Sequence, residues 1–126
     1  MNKEWQAATE AGNHAKVSLL LENGENINSL DRFGQTALMN AAYRGDTELV
    51  KLLVDRGAEL DITAKYNLTA LMLAVINKHT EIVRILANAG ADATIKGSKG
   101  TFERTPLDYA KEHGNDEIVS ILCKTT

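Results

Sequence analysis

One cysteine, Cys123, and one proline, Pro106, stand in a chain of 126 residues. A lone thiol excludes an internal disulfide framework, so a reducing, cytoplasmic location is expected. Aromatic residues are few, 5% of the chain. Long hydrophobic runs are missing too. The longest, Ala70 to Ile76, has seven residues, against the roughly 20 that cross a bilayer. The N-terminal stretch after Met-Asn-Lys-Glu-Trp lacks the apolar core of a signal peptide. Neither export nor membrane association is expected. Fourteen basic residues against 17 acidic ones give a net charge of −3, without the basic excess or stripe that nucleic-acid binding requires. A single domain of this length hides roughly two thirds of its unfolded surface, so a core can form without disulfides or metals.

What the chain has in quantity is glycine, nine residues, and most of them fall on a repeat. The segment Ala41 to Val50 aligns with Ala74 to Val83 at an offset of 33 residues. The same offset carries Val50, Leu52, Leu53 and Gly57 back to Val17, Leu19, Leu20 and Gly24, and forward to Val83, Ile85, Leu86 and Gly90. A fourth copy, with Val119, Ile121 and Leu122, is displaced by 36 residues, which marks a three-residue insertion around Gly97, Ser98 and Lys99. The copies span about 1–30, 31–63, 64–99 and 100–126 of a single domain.

Each copy holds two short segments whose apolar residues recur at three- and four-residue spacings, as in Leu49, Val50, Leu52 and Leu53, which is the period of a helix. First helices are expected after Thr36, Thr69 and Thr105, whose hydroxyls suit the N-cap, and Pro106 suits the first helical position. Second helices are expected after Asn13, Asp46, His79 and Asn115, of which His79 is the weak cap. Gly12, Gly45 and Gly114 close first helices; Gly24, Gly57 and Gly90 close second helices in the left-handed conformation. Lys78 stands where glycine is wanted. Left-handed backbone costs such a residue about 1 to 2 kcal/mol, so this helix is expected to end differently.

The stretch Gly34 to Gly45, followed by Glu48-Leu49-Val50-Lys51-Leu52-Leu53 and Gly57-Ala58-Glu59-Leu60-Asp61, resembles an ankyrin repeat, and similar stretches cover nearly the whole chain. The resemblance implies an all-α solenoid of helix-turn-helix units joined by β-turn fingers, acting as a protein-protein interaction module without catalysis or cofactor. Met39, Met72 and Asp108 depart from the family's usual histidine, and Asn67 and Glu103 replace the turn glycine seen at Gly34. Lys16 and Lys111 replace apolar residues of the other copies, as capping repeats of a complete small array would.

No residue cluster carries chemistry. His14, His79 and His113 fall in different copies without metal-ligand spacing and are expected at solvated helix ends. Cys123 shares a register with Leu21, Val54 and Ala87 and is expected to be packed and inert. Lys96 to Thr101 lacks the spacing and the strand of a phosphate-binding loop. Asn67-Leu68-Thr69 matches a glycosylation acceptor by chance, because Thr69 is a helix cap.

What remains is a surface: the fingers and the exposed face of the first helices. Phe33, Tyr66 and Phe102 occupy one finger position in three successive copies. Aromatic and arginine side chains anchor interfaces. Arg32, Lys65, Lys99 and Arg104 flank these rings; Gln35 and Leu68 follow them; and Tyr43, Arg44, Ile76 and Asn77 lie on the adjoining helix face. These rings either bind a partner or pack finger against finger. Basic fingers opposite Glu22, Asp46, Glu48, Asp55 and Glu81 would attract an acidic or aromatic partner patch. The expected partner is another protein of unknown identity, with no nucleic acid and no membrane, bound by a monomer. An inhibitor or regulator of a partner enzyme is the alternative, and a small-molecule or nucleic-acid binder a more distant one. The inserted loop from Lys96 to Arg104 serves either recognition or no purpose beyond connection.

Overall fold

A computed structural model describes residues 1–98 and 103–125. The described residues form eight α-helices and a single 3-10 turn, with no strand. In chain order the helices are α1 (Lys3–Glu10), α2 (His14–Glu22), α3 (Ala37–Arg44), α4 (Thr47–Asp55), α5 (Ala70–Ile76), α6 (Thr80–Asn88), α7 (Pro106–Glu112) and α8 (Asp116–Thr125); the 3-10 turn is Lys65–Asn67.

Local chemistry sets the starts. The hydroxyls of Thr36 and Thr69 accept the amide N–H of Met39 and Met72. Thr105 does the same for Asp108, whose carboxylate in turn accepts the Thr105 N–H, closing a capping box ahead of Pro106. Asp108 thereby supplies a link across the turn where the family's histidine is missing. Asn13, Asp46 and Asn115 cap second helices through their side-chain oxygens, and His79 makes no side-chain cap.

The six expected C-cap glycines all have positive φ, and so does Gly34. Lys78 corrects the expectation for the third copy. Its φ is 59°, and the His79 N–H reaches the Ala74 carbonyl as the Asp46 N–H reaches Ala41. The helix ends as its neighbours do, because stacking dictates the turn and lysine bears the strain.

Helices α1, α3, α5 and α7 pack side by side in one layer; α4, α6 and α8 continue a second, and each pair is antiparallel across its turn. The core lies between layers and repeats. Trp5, Leu38, Leu53, Leu71, Leu86, Ile118 and Leu122 are fully buried in it. Side chains also tie repeats together through carbonyls at first-helix ends. Arg44 Nη2 donates to the Thr9 carbonyl (2.9 Å), and Asn77 Nδ2 to the Tyr43 carbonyl (2.8 Å), which His79 Nε2 also meets at 3.0 Å.

Cys123 is exposed, contrary to expectation. Its register is buried only at Ala87 and partly buried at Leu21 and Val54, so the shared position does not by itself enclose a side chain. His79 is likewise not a solvated helix-end residue. It is partly buried against Gly45, whereas His14 and His113 are exposed.

Candidate groove and fingers

The first finger is built around Asp31. Its carboxylate accepts the N–H groups of Phe33 (2.8 Å) and Gln35 (3.1 Å) and the side-chain amide of Asn40 (3.1 Å). Burial alone would raise the Asp31 carboxyl; these three donors outweigh it and hold the pKa below the ordinary aspartate value. With Asp31 turned inward, Arg32 and Phe33 project from the tip. Phe33 is 67% exposed, and the Arg32 guanidinium lies 5.0 Å from its ring centroid.

Beneath this tip lies a cavity of about 380 Å³. The finger contributes Asp31, Arg32 and Phe33; α3 contributes Asn40, Tyr43 and Arg44; and α1 supplies Gln6 and Glu10. Tyr43 is 54% exposed. Four predicted residues, Arg32, Phe33, Tyr43 and Arg44, thus share one hollow. Gln6, Glu10 and Asn40 were not anticipated there. Their signal was present, since Glu10 is the residue 33 positions before Tyr43.

The second finger repeats the pairing differently. Lys65 Nζ stands 5.1 Å from the Tyr66 ring centroid. Both Tyr66 (φ 63°) and Asn67 (φ 60°) are left-handed, Asn67 at the repeat position of Gly34 and Tyr66 at that of Phe33. Two hydrogen bonds hold this strained turn: Ser98 N–H to the Tyr66 carbonyl (2.8 Å) and Asn67 Nδ2 to the Lys96 carbonyl (2.8 Å). Tyr66 consequently leans on the core, partly buried, where Phe33 stands clear. The side chain of the acceptor-like Asn67 is engaged in that bond, and the Thr69 hydroxyl in its cap.

Leu68 is not on the exposed finger surface. It is 9% exposed and packs into the core, because the extended residue that leads into α5 turns its side chain inward. Gln35, Ile76 and Asn77 are half-buried, and Ile76 packs partly on the core. Arg104 forms an ion pair with Glu112 beside Lys111, within a separate hollow of about 470 Å³ whose lining side chains are all charged. Lys99 and Phe102 lie outside the described residues. On the helix sides, cations and acids neutralise each other: Lys16 with Glu4, Arg44 with Asp46, Lys51 with Glu48, and Arg84 with both Glu81 and Glu117.

Among the described residues, no group of His, Cys, Asp and Glu side chains is placed to hold a metal, and no helix is long and apolar enough to cross a membrane. Comparison with curated proteins returns no match. The family model for ankyrin repeats, in three copies, matches residues 5–97. That span takes in α2 to α6, all of α1 but its first two residues, and the first two fingers. Paired helices at a 33-residue period, left-handed glycine caps and a matching family model over most of its length agree: the chain belongs to the ankyrin repeat family.

Proposed function

We propose that the protein is a binding module that holds a partner protein against the hollow between α1, α3 and the first finger, and along the second finger, with no chemistry of its own. Ankyrin repeats are generally protein-protein interaction modules. The reading rests on one observation: Phe33 and Tyr43, two of the four large hydrophobic side chains exposed among the described residues, share a cavity rimmed by Arg32 and Arg44. Aromatic rings beside arginine are the side chains that most often dominate binding energy. Support for a non-catalytic role comes from the same groups, since Asp31 is spent on the turn and Arg44 on Thr9 and Asp46.

Affinity capture from native lysate tests this reading, with Phe33→Ala plus Tyr43→Ala as the control bait. Partners retained by the unmodified protein and lost by the double variant are the expected outcome. An identical set at unchanged affinity would move the binding surface elsewhere.

A further inference from the structure

Arg104 of the last finger is ion-paired with Glu112, and the cations of the two earlier fingers are held differently. On the helix sides, Lys16, Lys51 and Arg84 each face a carboxylate, whereas Arg32 and Lys65 have none among the described residues. Each instead lies over the ring of the next residue in its own finger. Asp31, the acid adjacent to Arg32, has both oxygens committed to Phe33, Gln35 and Asn40. Two cation-aromatic pairs, Arg32-Phe33 and Lys65-Tyr66, therefore stand one repeat apart with positive charge to spare. Such cations are already partly desolvated by a ring, and they gain from an incoming carboxylate what they lack within the chain.

From this pattern we infer that the partner segment is an extended acidic one, with two carboxylates three residues apart, one on Arg32 and one on Lys65, and an apolar side chain between them on Phe33 and Tyr43. The inference rests on the binding reading given above and names the chemistry of its ligand. Stacked repeats place equivalent residues roughly 8 to 10 Å apart. A polyproline II segment rises about 3.1 Å per residue with three residues per turn, so its residues i and i+3 point to one face about 9 Å apart and span the two fingers. Glu10, on the α1 wall across the hollow, keeps the partner's acids on the finger side.

A random peptide library displayed on phage and panned against the intact protein reads the partner's chemistry without prejudice. The expected result is enrichment of Asp or Glu at i and i+3 around an apolar residue. The enriched peptides, labelled with a fluorophore, should bind Arg32→Glu plus Lys65→Glu at least tenfold more weakly by anisotropy. They should also weaken as salt is raised. Basic or neutral winners that lose binding to Tyr43→Ser would overturn the acidic assignment and leave the hollow as the binding surface. Winners indifferent to both variants, or no enrichment at all, would overturn both. Circular dichroism of the variants confirms that each remains folded, which their exposed positions favour.

Discussion

His79 of the third repeat lies so close to Gly45 of the second that a Cβ at position 45 would stand 2.6 Å from its Cε1 atom. Gly45 has a φ of 84°, so alanine there meets two obstacles at once, left-handed strain and the imidazole ring. The ring can swing aside only by giving up its 3.0 Å contact with the Tyr43 carbonyl. Gly45→Ala is expected to cost about 2 to 3 kcal/mol in urea denaturation, and only about 1 to 2 kcal/mol in a His79→Ala background, where the strain alone is left. Strict additivity of the two substitutions would show that the close approach carries no energy.

Lys78 offers the converse. It is the one first-helix end without glycine, at a φ of 59°. Relief of about 1 to 2 kcal/mol of left-handed strain exceeds the roughly 0.5 to 1 kcal/mol of extra chain entropy that glycine brings to the unfolded state. Lys78→Gly should therefore raise stability by about 0.5 to 1 kcal/mol, visible as a higher urea midpoint at unchanged slope.

Core and finger should respond oppositely to truncation. Leu53 is fully buried and Leu68 nearly so, whereas Phe33 is exposed. Leu53→Ala and Leu68→Ala are expected to cost about 2 to 5 kcal/mol, and Phe33→Ala to stay within about 0.5 kcal/mol of the unmodified protein. A finger phenylalanine as costly as Leu68 would mean that its ring serves the stack.

The Asp31 carboxyl gives stability a pH signature. Its pKa is lowered in the folded state, so its contribution is fully present above the unfolded value of about 3.9 and fades as pH falls through the lower folded value. Stability differences between the unmodified protein and Asp31→Asn, measured by denaturation from pH 6 down to pH 2.5, should narrow toward the acid end. A difference that stays constant with pH would assign the role of Asp31 to shape and not to charge.

These contrasts also explain what the sequence made legible. Helix starts depend on a side chain and a backbone N–H three residues away, and Thr36, Thr69, Thr105, Asn13, Asp46 and Asn115 all cap where their identities predict. The face that holds Arg32, Phe33, Tyr43 and Arg44 followed from the repeat register for the same reason: the period fixes which positions line up. Burial was harder, because it depends on what lies across the seam. Cys123 shares its register with Ala87 yet is exposed, and Leu68 was assigned to a finger but points inward. Tyr66 was harder still. Nothing in a tyrosine announces a left-handed backbone, which here is held by Ser98 and Asn67.

Carbonyl-bound side chains give the array a direction. Arg44 reaches back to Thr9, and Asn77 and His79 reach back to Tyr43, so two successive seams are stitched by later repeats onto earlier ones. His113, which stands at the Asn77 position in the fourth repeat, turns instead to the Tyr109 carbonyl of its own helix, with the two rings stacked 4.1 Å apart. Across the last seam the link moves to the second helices, where Arg84 of α6 pairs with Glu117 of α8, so the array passes from stitched helix ends to a salt-sensitive junction at its fourth repeat.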